Sequence, residues 1–215
     1  MATGSSFDWT TVSELATGVG TLVLAAATFA SVRSSNRTAR LTERSLQAGL
    51  RPLLLPSRLQ DLEQKVGFQD THYLKVGGGL GVAEVVDDVV YLAMSLRNVG
   101  TGIAVLDAWH LIPERVQGDQ DRPELDNFRR LTRDLYVPAG DIGFWQGTFR
   151  DPAEPDFQEA CEVISAGKPV TLDVLYGDHE GGQRVVSRFL LQPRKDGGHL
   201  VTSSRHWNID RADPR

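Results

Sequence analysis

VVYLAMSLRNVGTGIAVLDAWHLI, residues 89–112, decides the fold class. Val90, Leu92, Met94 and Leu96 recur at every second position, the period of a strand with one face in a core. Asn98, Gly100 and Gly102 follow, and asparagine and glycine tolerate positive φ. A second apolar run, carrying Trp109, then returns. The stretch predicts a β-hairpin with a bulge-prone connection.

The same pattern extends in both directions. Upstream, residues 53–55 begin a first strand, and residues 72–76 make another before the glycine cluster at 77–81. Downstream, LYVPAGDIGFWQG (135–147) predicts two short strands flanking a turn from Pro138 to Asp141. DFQE (156–159) resembles a capping box that opens a helix of one or two turns, ending near Gly167. Residues 170–176 and 185–191 form a second predicted hairpin through GDHEGG (177–182). A last strand around 200–203 follows Asp196-Gly197-Gly198. Seven or more short strands with little helix predict a mainly β domain over residues 52–208. The expected architecture is an antiparallel, immunoglobulin-like β-sandwich of two packed sheets, with residues 209–215 as a C-terminal tail.

The chain ahead of this domain reads differently. Residues 15–32, LATGVGTLVLAAATFASV, hold no charge and no proline. Their length is near the minimum for a membrane-spanning helix. The preceding residues 1–14 contain Asp8 and Glu14 but no Lys or Arg, unlike the basic start of a signal peptide. Trp9 stands where an indole would meet the interface. After the run come Arg33, Arg37, Arg40, Arg44 and Arg51. Basic residues stay on the cytoplasmic side. The expected organisation is therefore an extracytoplasmic N-terminal tail (1–14), a transmembrane helix (15–32) and a basic juxtamembrane helix (33–51). These place the β domain in the cytosol at a bacterial inner membrane. Ala16 and Gly20, like Ala26 and Ala30, lie four apart, a spacing that lets helices approach closely and pair as a homodimer.

If residues 33–51 continue the helix at about 100° per residue, Arg33, Arg37, Arg40 and Arg44 fall on one narrow face. Such a stripe can meet anionic lipid headgroups or an acidic partner. It can equally do no more than set the topology and remain solvated.

Candidate chemistry is sparse. A net charge of −5 over 215 residues argues against a general nucleic-acid binder, which needs clustered cations for phosphate. Cys161 is the single cysteine, so no intramolecular disulfide forms, and it reads as a small buried apolar side chain. The 77–81 glycine cluster is not a dinucleotide fingerprint, because Val82 stands where a glycine is needed. Asp173, Asp178 and His179, with Glu180, could gather at one hairpin end to hold a metal or move protons. That is the basis of a rival reading as a membrane-bound enzyme, although acidic residues are ordinary in a glycine-rich turn. His72, His110, His199 and His206 have no ligand-like spacing. Trp109, Trp145 and Trp207 read as core anchors. No catalytic residue, metal or cofactor is assigned.

The segments LRNVGTGIAVLDAWHLIPE, YVPAGDIGFW and LDVLYGDHEGGQR resemble immunoglobulin-like sandwiches. More closely, the chain resembles actinobacterial single-pass membrane proteins with a basic juxtamembrane segment and a leading RP-L strand, here Arg51-Pro52-Leu53. These motifs are structural, and the resemblance implies no catalytic residues. The cysteine pair of antibody-type domains is absent. The combined expectation is a membrane-anchored protein-interaction module whose protein partner is left open.

Overall fold

The computed structural model describes residues 9–116, 121–154 and 156–212, with the side chains of residues 9–12, 15–17, 44, 47 and 48 outside the description. The chain divides into two units, Met1–Leu46 and Gln47–Arg215.

The first unit is helical. Helix α1 (Trp9–Gly49) runs without a break through both positions, 14/15 and 32/33, where the sequence suggests boundaries. Nothing in that span stops a helix until Gly49 and Pro52. Its described side chains from Gly18 to Glu43 are all exposed. Leu22 is 72 %, Val23 62 %, Leu24 69 % and Val32 54 % exposed, and at about 100° per residue they point to four different sides. The helix is apolar all round over this stretch, with no single buried stripe.

Among the described residues, no helix is long and apolar enough to cross a membrane. The expectation of a transmembrane helix at 15–32 is therefore not supported by the described part of the run. Its first three residues, Leu15, Ala16 and Thr17, have side chains outside the description. The whole run of eighteen residues lies within α1 and makes about 27 Å of helix against roughly 30 Å of hydrocarbon. Thr21, Thr28 and Ser31 dilute them further. Thr28 directs its hydroxyl back to the Leu24 carbonyl at 2.8 Å, which satisfies that polar group within the helix.

The second unit is β. Its strands are β1 (Leu54–Pro56), β2 (Gln64–Gly67), β3 (Tyr73–Val76), β4 (Leu80–Val86), β5 (Val89–Asn98), β6 (Ala104–Ile112), β7 (Arg129–Val137) and β8 (Ile142–Phe149). Helix α2 (Phe157–Ser165) comes next, then β9 (Val170–Gly177), β10 (Val185–Pro193) and β11 (His199–Asn208). Nine strands form one antiparallel sheet in the order β1-β5-β4-β11-β10-β9-β6-β7, with β8 on the other edge of β5. β2 and β3 make a separate hairpin. The mainly β, antiparallel expectation holds, but the sheet is continuous where two separate sheets were expected. The joint is narrow: His199 stands opposite Gly81 and Leu200 opposite Leu80, and the Val201 amide donates to the Gly79 carbonyl (3.1 Å) just ahead of β4.

The sheet curls around one core. Val90, Leu92, Met94 and Leu96 face inward as their alternation predicts, with Trp109, Trp145, Phe149, Phe189 and the α2 side chains Phe157, Ala160 and Ile164. Asp156 stands at the N-cap of α2 without a side-chain hydrogen bond. Its backbone is already helical (φ −94, ψ −1), whereas a capping side chain needs an extended residue. The outer face of β5, Tyr91 and Ala93, is covered by Val66, Phe68, Leu74 and Val76 of the β2–β3 hairpin. This explains why β5 is buried on both faces. Trp207 closes a third cluster with Ala108, Leu175 and Val186, so all three tryptophans expected in the core are buried.

The hairpin expected over 89–112 does not form. β5 pairs with β1, β4 and β8, whereas β6 pairs with β7 and β9. Residues 98–102 instead cross tightly against residues 50–53. The amides of Val99 and Thr101 donate to the carbonyls of Leu53 (2.8 Å) and Arg51 (3.0 Å). A Cβ at Gly102 would lie 1.6 Å from the Leu50 carbonyl oxygen. The glycines thus serve a close backbone approach, which leaves the same composition as a turn. The hairpin that does precede β5 is β4–β5, closed by Asp87 (φ 49) and Asp88 (φ 58). Positive φ at both loop residues is the geometry of a two-residue type I′ turn, and aspartate tolerates it. The second expected hairpin, β9–β10, pairs from Val170 opposite Leu191 to Tyr176 opposite Val185.

A buried polar chain ties the first strand to the sheet. The Leu54 amide donates to the Tyr176 hydroxyl oxygen (3.1 Å), which shares a 2.7 Å hydrogen bond with Ser187 Oγ; Ser187 Oγ meets His206 Nδ1 at 2.5 Å. Burial pushes the Tyr176 phenol up to about 12. A phenol raised above its unfolded value holds its proton longer when folded. Its contribution is therefore complete below pH 10 and disappears as pH rises from 10 to about 12. The loss should be on the order of 2–3 kcal/mol. Urea unfolding midpoints followed across this range should fall further for the native chain than for Tyr176→Phe. Parallel curves would exclude a coupled phenol.

Candidate functional site

The residues singled out by sequence do not assemble into a reactive site. Asp173 is fully buried on β9 and receives two hydrogen bonds from Arg188 on β10, Nε to Oδ1 at 2.7 Å and Nη2 to Oδ2 at 2.6 Å. The Arg188 guanidinium also lies 4.9 Å from the Trp207 ring. Asp173 is thus a structural anion held opposite its counterion in the strand register. Asp178, past the end of the strand, accepts the Gly182 amide at 2.9 Å and shapes the turn. His179 is exposed and meets Glu180 at 3.3 Å. Among the described residues, no group of three His, Cys, Asp or Glu side chains is placed to hold a metal ion. Cys161 is half-buried against the core, and burial pushes its thiol up, away from the thiolate a nucleophile requires.

On α1, Arg33, Arg37 and Arg40 are exposed. Helix continuity puts position 44 on the same face, although the Arg44 side chain lies outside the described residues, as does that of Ala16 in the small-residue pairs. Arg51 does not extend the stripe: its Nη2 donates to Asn208 Oδ1 at 2.5 Å at the end of β11.

A cationic cleft elsewhere in the β unit escaped the sequence reading. β7 and β8 are consecutive strands joined by a tight turn, in which the Asp141 amide donates to the Pro138 carbonyl (3.2 Å) and Gly140 has φ +76. Yet they occupy opposite ends of the curled sheet, β7 bonded to β6 and β8 to β5. Among the described residues no backbone hydrogen bond joins β7 to β8. The register on β6 jumps from Leu106 opposite Leu135 to Ala108 opposite Arg130. Residues 131–134 therefore stand against Asp107 alone and buckle β7 away from the ladder. A cavity of about 120 Å³ opens there, lined by Phe68, Trp109, Arg129, Arg130, Gln146 and Arg150 among others.

Its cations are pre-positioned. Arg129 pairs with Glu154 and stacks on Phe149 (4.2 Å) and Trp109 (4.9 Å). Arg150 Nη1 donates to Asp70 Oδ2 at 2.6 Å, and Asp70 also accepts the Tyr91 hydroxyl. The Arg150 hydrogen bond holds the Asp70 carboxyl well below the usual carboxylate range. Burial, then the same carboxylate, pushes Tyr91 up. His72 stacks on Tyr91 with centroids 4.1 Å apart and bonds Glu84 at 2.8 Å. Arg133 Nη2 reaches across the gap to Gln146 Oε1 at 2.7 Å. Arg130, exposed at the rim, has no ion pair among the described residues. Chemically the cleft can hold an anion. The only sequence signal was the run RRLTRD at 129–134, which reads equally well as a solvated edge strand.

No protein-family model matches the chain, and no curated protein is similar to it.

Proposed function

We propose that this protein is a membrane-anchored protein-interaction module: α1 tethers it to the bacterial inner membrane and the β unit binds a partner on the cytoplasmic side. The observation that carries this reading is the uncovered stretch of α1 from Gly18 to Val32, apolar in every direction, within a run free of charge from Leu15 to Val32. Water disfavours such a surface, and an amphipathic partner would cover only one side of it. Lipid covers all sides. The charge asymmetry supports the orientation, since every arginine of α1 lies after the apolar run. Arg33, Arg37, Arg40 and Arg44 then meet anionic headgroups, and the spacing of Ala26 and Ala30 supports pairing of two anchors. The immunoglobulin-like reading of the β unit rests on the narrow β4–β11 joint, which leaves two half-sheets across one core. Tethering raises the local concentration of the module against partners at the same surface. A membrane-bound enzyme using Asp173, Asp178 and His179 has no geometric support, since Asp173 is bonded to Arg188 and Asp178 to its own turn.

Membrane fractionation of the full chain tests the tether. The protein should stay in the pellet after alkaline carbonate and need detergent for release. Leu22→Arg with Leu24→Arg should move it to the supernatant, because each arginine at a helix centre costs about 2.5–3.5 kcal/mol on insertion. A native chain that is soluble and monodisperse without detergent would refute the anchor.

A further inference from the structure

We propose that the seam between β7 and β8 receives an acidic segment of a partner protein in extended conformation. The inference rests on the interaction-module reading and names the partner's chemistry. Two strand edges, β7 and β8, diverge from one turn and leave their facing edges without backbone pairing among the described residues, bridged by the Arg133–Gln146 side-chain hydrogen bond. Unpaired edges are templates for an added strand. The gap narrows at Pro138–Asp141 and opens at the cavity, so a strand can enter from the open end.

Charge decides what kind of strand. The chain as a whole is anionic, at −5, but the cavity lining holds three arginines and one glutamate. Charged side chains on an edge strand also serve to repel other strands, and that simpler use must be weighed. Repulsion needs only mobile, solvated charge. Here Arg129 is held by Glu154 and two rings, and Arg150 by Asp70. Glu154 and Asp70 already neutralise these two guanidiniums, so the net positive charge of the cleft is carried by Arg130, while the five N–H donors of a fixed guanidinium plane still allow a further carboxylate contact. The cavity of about 120 Å³ has room for roughly four waters or one carboxylate side chain. Arg130 at the rim is the cation left to be neutralised. Alternate residues of an extended peptide project to one face, so a segment with acidic residues at every second position matches the site.

The test uses the full chain, in detergent if it requires it, and a fluorescein-labelled Glu-Val-Glu-Val-Glu-Val peptide followed by fluorescence anisotropy. Saturable binding is expected, weakened about tenfold or more by Arg130→Glu and by added salt. Arg130→Lys should fall between, and a Lys-Val counterpart should not bind. Arg130 is exposed, so these variants keep the fold. A Glu-Val peptide N-methylated at its valines should lose binding, because strand addition needs those amides. Absence of saturable binding, or equal affinity for Arg130→Glu, would overturn the proposal. So would full affinity of the N-methylated peptide with displacement by inorganic phosphate, which would identify a small-anion site. Membrane retention is measured on the same preparation. Retention without peptide binding removes the seam proposal alone, and binding by a chain that needs no detergent removes the tether alone.

Discussion

Asp173→Ala is expected to destabilise the β unit by about 3–5 kcal/mol, because it leaves the Arg188 guanidinium buried without its carboxylate. The Asp173 and Arg188 side chains are 0 % and 6 % exposed, which keeps solvent from screening the change. Much of the loss reflects the uncompensated cation and little of it the intrinsic worth of the pair. Asp173→Leu combined with Arg188→Met should therefore recover most of the stability lost by either alone. Urea unfolding of the purified chain measures this directly. A loss below about 1 kcal/mol for Asp173→Ala, the size of an exposed ion pair, would contradict the buried-pair account. So would a double variant no more stable than the singles. The double variant also addresses function, since it removes the one carboxylate the enzyme reading most needs. Binding to the seam should survive it.

Asn98→Ala should cost about 3 kcal/mol or more, the expected consequence of stranding several buried backbone groups at once. Asn98 is completely buried and uses every hydrogen-bonding site it has. Its Oδ1 accepts the amides of Leu53 (3.1 Å) and Gly100 (3.0 Å), and its Nδ2 donates to the carbonyls of Gly102 (2.7 Å) and Val137 (3.0 Å). One side chain thus joins the entry to β1, the crossing at 98–102 and the end of β7. Its backbone also bonds both Gly140 and Asp141 of the β7–β8 turn. Asn98→Asp keeps the shape but replaces two donors with acceptors and buries a charge. It should be at least as damaging at neutral pH. Thermal unfolding that shifts by no more than a surface turn substitution would show that these bonds are not retained in solution. Because the turn fixes the narrow end of the seam, Asn98→Ala should also weaken capture of the Glu-Val peptide by any chain that remains folded.

The places where sequence and structure agree share a cause. The inward face of β5, the β9–β10 hairpin and α2 are specified by residues close in the chain. Alternation, a glycine-rich turn and a short amphipathic period act over a few residues, and tertiary contacts reinforce them. The disagreements also share a cause. Asn98, Gly100 and Gly102 carry the composition of a turn, but what they accommodate is the backbone of residues 50–53. The Asp87-Asp88 turn was legible in principle, as two acidic residues between valine runs, and with it β4. The seam was not. Arg129 and Arg150 are far apart in sequence, and their convergence depends on β7 and β8 reaching opposite ends of one curled sheet.

By itself, the sequence determined that a mainly β, antiparallel domain follows a long helix in which residues 15–32 are uncharged and the residues after them are basic. Those are local properties of periodicity, turn chemistry and charge order, and they hold whatever the domain's topology. Only the tertiary structure decided which strands pair, that Asp173 is neutralised by Arg188, and that an arginine-lined gap separates β7 from β8. Each of these depends on which distant segments share a low-dielectric interior, and burial there sets the strength of a charge or a hydrogen bond.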